Sequence, residues 1–428
     1  MSPSLVRSAW LVVGLLIPIA LLNYLDRQML ATMKASVMAD IPTIESNENW
    51  GFMLGLFKWV YAFLSPVGGL IADRLSRRFA IAGSLFVWSA VTWWTGQVTT
   101  YHELLWARSL MGISEAFYIP AALALIADYH AGPTRSRAVG LHQMGIYLGV
   151  IVGAFGGFVA DTQSVVVSAV SQDGTTHGFA VNVGWRSAFT VCGVVGMLYA
   201  VPAILLLKDP PRATPAERAA SPLGDLLALL TNVSFILLVL YFTLPALAGW
   251  VVRDWMPAIL KEQFDLMQGW SGVAATVPYQ LAAIVGAFGG GWVADLWIRR
   301  TPRGRIYVSA VGMVLIVPAI YGVGNAPTVW VAVAFLTLFG LGWGLFDGNN
   351  MPILSQIAKP ELRATGYGLM NLVSIGCGGL ADWGFGALRD RNVPPNLIFT
   401  LLAAAAVISV VFVLLIRLRT TDQPSQPR

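Results

Sequence analysis

The chain has 428 residues, of which 56% are hydrophobic and only 11% charged. A soluble domain carries about 25% charged residues, so a water-facing surface could not be covered here, and a soluble enzyme, a disordered chain and a disulfide scaffold are excluded. The net charge of +5 raises nucleic acid as a partner, but the placement of the basic residues accounts for it in another way. Cys192 and Cys377 both lie in apolar runs, so neither a disulfide framework nor a metal site is expected.

A membrane-crossing helix needs roughly 20 mostly apolar residues. In chain order, 8–25, 79–102, 138–160, 187–207, 226–252, 266–294, 306–346 and 392–416 are free of Asp, Glu, Lys and Arg. The run 306–346 is long enough for two spans, with Gly324-Asn325-Ala326-Pro327 as the turn between them. Three further spans are expected around 51–72, 103–127 and 364–388, where charges interrupt the apolar pattern. The expectation is an all-α membrane protein of twelve transmembrane helices. A β-barrel would instead show alternation in segments of about ten residues. The first apolar stretch is long and no small-residue-rich site follows it, so it reads as a first membrane helix and not as a cleaved signal peptide. Between spans five and six, 161–184 holds two Val-rich runs around Asp173-Gly174, the pattern of a β-hairpin over one mouth of the molecule.

Orientation follows from the basic residues. With the N-terminus inside, the inner loops and tails hold Arg7, Arg74, Arg77, Arg78, Arg135, Arg137, Lys208, Arg212, Arg218, Arg299, Arg300, Arg303, Arg305, Lys359, Arg363, Arg417, Arg419 and Arg428, whereas the outer loops hold Lys34, Arg186, Lys261, Arg389 and Arg391. Both termini are therefore expected on the cytoplasmic side of an inner or plasma membrane. The basic character belongs to the lipid bilayer as partner, with no nucleic acid.

The hydrophilic stretch 208–225 divides the spans into six and six, giving an N-terminal bundle over 1–207, a cytoplasmic linker over 208–225 and a C-terminal bundle with a short tail over 226–428. The halves repeat one another. Gly69-Leu-Ile-Ala-Asp73-Arg74-Leu-Ser-Arg77-Arg78 follows span two, and Gly291-Trp-Val-Ala-Asp295-Leu-Trp-Ile-Arg299-Arg300 follows span eight. Arg137-Ala-Val-Gly140 opens span five and Arg363-Ala-Thr-Gly366 opens span eleven. An Asp at a helix end followed by Arg residues can pair with neighbouring helix ends, so Asp73, Arg74, Arg77, Asp295 and Arg299 read as a cytoplasmic latch. In these features the chain resembles the major facilitator superfamily: 69–78 is similar to that family's loop signature, with Ser76 in place of a glycine, and Arg108-Ser-Leu-Met-Gly112 to its R-x-x-x-G. The resemblance implies two pseudo-symmetric six-helix bundles that alternate access to a site near the midplane.

An ionisable group inside a spanning helix costs about 2.5–3.5 kcal/mol or more and is a functional candidate by default. In span one, Asp26 and Arg27 are adjacent and lie about 100° apart on a helix, so one faces a neighbouring helix and the other a cavity. In span four, Arg108 and Glu115 are two turns apart on one face. Asp26, Glu115, Arg108 and His142 are the candidate proton-coupling groups; an interhelical hydrogen bond is the other role open to His142. Arg27 and Lys58 together would form a doubly cationic site for a carboxylate or phosphate, unless Lys58 pairs with Asp347. Tyr61, Tyr147, Asp347, Asn350 and Asn371 complete the candidate substrate site. Arg253 and Asp254 are expected to compensate each other, and Gly153, Gly156 and Gly157 to permit close helix packing.

Asn23-Tyr24-Leu25-Asp26-Arg27, together with Arg108, Glu115-Ala116 and Pro120, resembles the anion:cation symporter family of sugar-acid and organic-anion carriers. That resemblance implies proton sites at Asp26 and Glu115, a substrate carboxylate on Arg27, and tuning of the acids by Arg108. The Spinster family of lysolipid and sphingolipid carriers is similar through the same span-one motif and through Glu115-Ala-Phe-Tyr118, Leu125-Ile-Ala-Asp128 and Arg135-Ser-Arg137. Lys58 belongs to neither pattern. The expected function is proton-coupled symport of a small organic anion such as a sugar acid, with a Spinster-like lysophospholipid or sphingolipid carrier as the alternative. The partners are then the anion, the proton and the bilayer, in a monomer without cofactor. No nucleophile–base pair and no phosphate-binding G-x-x-x-x-G-K-[ST] loop argue for an enzyme or a primary pump.

Overall fold

The structure, a computed structural model, describes residues 3–74, 76–130, 134–162, 165–170, 176–181, 184–209, 222–359 and 362–418. The elements in chain order are α1 (Pro3–Thr32), α2 (Lys34–Asp40), α3 (Asn47–Arg74), α4 (Arg77–Thr95), α5 (Tyr101–Glu115), α6 (Tyr118–Tyr129), α7 (Arg135–Ala154), α8 (Gly156–Asp161), β1 (Val165–Val170), β2 (Thr176–Val181) and α9 (Trp185–Leu206). They continue with α10 (Pro222–Leu230), α11 (Val233–Phe264), α12 (Gln268–Ile298), α13 (Gly304–Gly324), α14 (Val329–Asp347), α15 (Asn350–Ile357), α16 (Arg363–Asp390) and α17 (Pro395–Leu415).

Among the described residues, 9 helical segments are long and apolar enough to cross a membrane. The other three of the twelve expected are α3, α4 and α16, with 28, 19 and 28 residues. At 1.5 Å per residue each is long enough to span. Each carries a charge within it: Lys58, Arg78 and Asp382 respectively. The hairpin expected in 161–184 is present: β1 and β2 are antiparallel, with Val165 opposite Val181 and Val170 opposite Thr176. Its turn, with Asp173 and Gly174, lies outside the described residues, as does most of the expected linker (210–221).

Two helices break beside a proline. α5 ends at Glu115 and α6 begins at Tyr118; α14 ends at Asp347 and α15 begins at Asn350. Pro120 and Pro352 have no N–H to donate, and their rings would collide with the carbonyls of Ala116 and Gly348. Each break therefore leaves an acid at the end of the preceding helix.

The chain packs as two compact units. The first comprises Met1–Pro215, Trp250–Val277 and Gly378–Val393; the second comprises Ala216–Gly249, Pro278–Cys377 and Pro394–Arg428. In the first, α1 packs against α7 and α9, and α4 against α5, α6 and α9. Their shared core holds Leu16, Ile19, Leu85, Trp88, Tyr118 and Leu125. α7 approaches α1 through Gly145, Gly149 and Gly153, where an added Cβ would stand 2.7, 2.3 and 2.8 Å from the carbonyl oxygens of Ile17, Leu21 and Leu25. Small residues of this kind let membrane helices pack backbone to backbone. The start of α3 is capped from α16: Asp390 Oδ1 accepts from Asn47 N at 3.1 Å and Asn47 Nδ2 at 2.9 Å, and Oδ2 from Glu48 N at 2.7 Å. In the second unit α13 packs against α14 and α17, burying Ile316, Ile320, Leu336, Phe339 and Phe399.

Candidate functional site

Asp26 and Arg27 diverge, as adjacent helical positions must. Asp26 turns to α4 and α5. Its Oδ2 accepts a 2.8 Å hydrogen bond from Thr92 Oγ1, and its Oδ1 lies 3.8 Å from Arg108 Nη1. Arg27 reaches the end of α5 instead, where its Nε donates to Glu115 Oε2 at 2.8 Å and its Nη2 donates to the same oxygen. The Arg27 guanidinium lies over the rings of Tyr24, Phe57 and Tyr61, at 4.9, 4.7 and 5.0 Å from their centroids. Cation–π attraction holds a charge there without consuming its hydrogen bonds.

Arg108 donates to Met111 Sδ at 3.0 Å and lies 4.9 Å from the Phe57 centroid. The glycine of R-x-x-x-G accounts for this approach, because a Cβ on Gly112 would stand 2.9 Å from the Phe57 carbonyl oxygen. Two acids thus meet two bases in one buried cluster. Arg27 is its most accessible member, with a side chain 12% exposed against 0% for Glu115. Asp26 Oδ1, Glu115 Oε1 and Arg108 Nε are buried without hydrogen-bond partners among the described residues.

Lys58 does not join Arg27 in an open cationic site. Its Nζ donates to Asp254 Oδ2 of α11 and to Asp382 Oδ2 of α16, and it lies 4.3 Å from the Trp250 centroid. The expected compensation of Arg253 by Asp254 is therefore replaced. Asp254 serves Lys58, and Arg253 lies over Tyr24 and Trp250 at 5.2 and 5.6 Å. Asp347, considered as a partner for Lys58, accepts instead from Asn350 Nδ2 at 3.5 Å. Sequence reasoning missed Tyr24, Phe57, Trp250 and Asp382 as members of these clusters. The available signal was Asp382 itself, an acid in a spanning helix with no base within a turn of it.

The remaining candidates lie apart. Tyr118 Oη donates to the Leu16 carbonyl at 3.1 Å and is 2.9 Å from His142 Nε2. The ring thereby ties α7 to α6 and, through Tyr118, to α1. Tyr147 packs at the edge of the α1 core. In the second unit Asn371 Nδ2 donates to its own helix at the Tyr367 carbonyl, 3.1 Å away.

Of the latch residues, Arg77 pairs with Asp128 and donates to the Ala124 carbonyl at 2.8 Å. Asp295 accepts from Arg305 at 2.9 Å, and Arg299 is exposed. Asp73 and Arg74 end α3, with side chains outside the described residues. At the start of α2, Lys34 Nζ donates to Asn47 Oδ1 at 2.5 Å and lies over Trp255 at 4.7 Å. It helps line a cavity of about 230 Å³ with Ala31, Asn47, Glu262 and Gln268. Burial lowers its pKa to about 8, against the opposing pull of Glu262.

These features have counterparts in known proteins. Protein spinster homolog 1 of Xenopus tropicalis is 28% identical over 398 residues, covering 86% of this chain and 70% of that protein. Protein spinster of Drosophila melanogaster is 25% identical over 385 residues, covering 86% of this chain and 60% of its own length. A bacterial homolog of the human lysosomal transporter Spinster, crystallised inward-facing and unoccupied, shares the fold with a TM-score of 0.74 at 22% identity, over 97% of this chain and 96% of that one. The family model for the Major Facilitator Superfamily matches residues 16–381, most of the chain, and the chain belongs to that superfamily.

Proposed function

We propose that this transporter is a proton-coupled, Spinster-like carrier of lysophospholipid-type amphiphiles. The observation that carries the reading is the state of the two candidate anion-binding cations, alongside the similarity to Spinster proteins over 86% of the chain. Of those two, Lys58 is already held by two carboxylates, which leaves Arg27, with a side chain 12% exposed, as the cation for an anionic group. One cation suits the single phosphate of a lysolipid headgroup, whereas a hydroxylated sugar acid calls for a wider polar lining.

Glu115 and a headgroup phosphate compete for the same guanidinium. A proton on Glu115 removes its charge and releases Arg27 to the phosphate; loss of that proton draws Arg27 back and expels the substrate. Proton and substrate then favour the same state, which is the thermodynamic content of coupling. Tyr24, Phe57 and Tyr61 keep Arg27 in place while its hydrogen bonds change hands. Asp26, between Thr92 and Arg108, is a further proton site that Arg108 tunes. Tyr147, Asp347, Asn350 and Asn371 are proposed to supply polar contacts to the substrate, and Asp73, Arg74, Arg77, Asp295 and Arg299 to form the cytoplasmic latch. The reading includes six-helix halves over 1–207 and 226–428 joined by 208–225, and a monomer in an inner or plasma membrane with both termini cytoplasmic.

The test is to reconstitute the protein in liposomes and record proton-coupled currents while applying lysophospholipids, sugar acids and simple carboxylates in turn. A saturable lysophospholipid current, lost in Arg27→Ala, supports the reading. A current evoked by a sugar acid alone would replace it with small-anion symport, which draws on the same Arg27.

A further inference from the structure

Lys58 fits neither family pattern, and the way it is held has a chemical consequence. Gly51 and Gly55 bring α3 against α16: a Cβ on Gly51 would stand 2.3 Å from the Asp382 carbonyl oxygen, and one on Gly55 2.7 Å from that of Gly379. Lys58 lies on the same face one turn further on, and helical side chains lean toward the N-terminus of their helix, back to the level of Asp382. From α11, Asp254 reaches the same ammonium. Lys58, Asp254 and Asp382 are 4%, 8% and 0% exposed, and both carboxylates meet the one ammonium.

One ammonium compensates one carboxylate. No other described cation forms an ion pair with Asp254 or Asp382, although the charge of Arg108 is felt at Asp254. Arg27 is engaged by Glu115, and Arg108 faces Asp26. Arg253 is directed to the Tyr24 and Trp250 rings and forms no ion pair with Asp254 or Asp382 among the described residues, and Tyr24 and Tyr61 bring no positive charge. Oδ1 of Asp382 is buried without a hydrogen-bond partner among the described residues. An uncompensated carboxylate in such a place costs far more than binding a proton.

We propose that Asp382 is a proton-binding site separate from the Arg27–Glu115 pair, loaded through its Oδ1 and governed by Lys58. With the proton on Oδ1, Asp382 is neutral, and Lys58 and Asp254 remain as a balanced pair. When the proton leaves, both carboxylates share Lys58. No other ion is required. The site rests on the transporter reading only for what the proton drives; its occupancy is a property of the folded chain.

Infrared difference spectroscopy between acidic and alkaline pH, on the full-length protein in detergent and in a Glu115→Gln background, reads the carbonyl stretch of protonated carboxyls directly. One such band should vanish in Asp382→Asn and return, displaced, in Asp382→Glu. Lys58→Met leaves two carboxyls without a cation, so its carboxylic-acid signal should exceed that of the background protein. An unchanged spectrum in monodisperse Asp382→Asn would overturn the proposal. So would a Lys58→Met spectrum identical to the background, which decides the matter if Asp382→Asn does not fold. A band that responds to sodium in place of pH would also overturn it, making the site one for a metal cation. Because the measurement uses no substrate, an intact band beside an absent lysophospholipid current would reject the transport reading and leave this one standing.

Discussion

In the first unit α5 stops at Glu115, and in the second α14 stops at Asp347, each five residues before a proline that cannot donate to the preceding turn. The backbone device is the same, but the surroundings differ. Glu115 is fully buried and takes two hydrogen bonds from Arg27; Asp347 is exposed and is met by the amide of Asn350 at 3.5 Å. Duplication thus carried over the break that delivers an acid to the end of a helix, and it did not carry over the cation. A carboxylate that holds a buried guanidinium changes the balance of charge when it takes a proton, whereas one bonded to a neutral amide mainly loses a hydrogen bond. On the proposed reading, coupling belongs to the first unit and polar contact to the second.

The most severe test is Glu115→Gln. It leaves Arg27 buried without its partner, a loss of about 3–5 kcal/mol in stability, and it should abolish pH-driven uptake in proteoliposomes. Uptake and counterflow both at wild-type levels would erase the distinction between the two acids. Any pH profile must first be corrected for Lys34. Its ammonium titrates at about 8 in the fold and near 10.4 when unfolded, so between these values the unfolded chain binds more protons and stability rises with pH. The rise amounts to roughly 3 kcal/mol and should disappear from thermal melts of Lys34→Met.

Asp347→Asn sharpens the contrast from the other side. With an amide as partner it should shift stability by about 1 kcal/mol or less and weaken substrate affinity without moving the pH profile of transport; a displaced profile would make Asp347 a coupling group. The smallest effect belongs to His142→Leu. Losing one interhelical hydrogen bond costs about 0.6 kcal/mol, and the pH dependence of uptake should be unaltered, since the ring bonds Tyr118 and reaches none of the paired acids. A lost pH response would return His142 to the proton path.

Much of this was legible in advance, for physical reasons. Span count follows from hydropathy, because lipid tolerates few charges. The divergence of Asp26 from Arg27 follows from helical geometry, and the motifs place Arg27, Arg108 and Glu115 on neighbouring helices. Lys58 was visible as an anomaly, but its partners were not: Asp254 and Asp382 lie 196 and 324 residues away, and nothing local encodes which helices become neighbours. Asp254 misled because Arg253 stands next to it, although adjacent helical positions point apart. The proline breaks were equally present in the sequence, yet the equivalence of Glu115 and Asp347 emerges only once both helices are seen to stop.

The Asp390 cap on α3 has a different bearing. Burial alone would raise the Asp390 pKa, but the bonds it accepts from the Glu48 and Asn47 backbone and from the Asn47 side chain win, and hold it below the ordinary carboxylate range. A depressed acid keeps its stabilising effect at every pH above its unfolded value and loses it only as pH falls through the folded one. Across the mildly acidic to neutral range of a living compartment, the Asp390 cap on α3 therefore stays ionised. The proposed loading of Asp382, about two turns earlier on the same helix, would therefore leave this terminal fastening untouched.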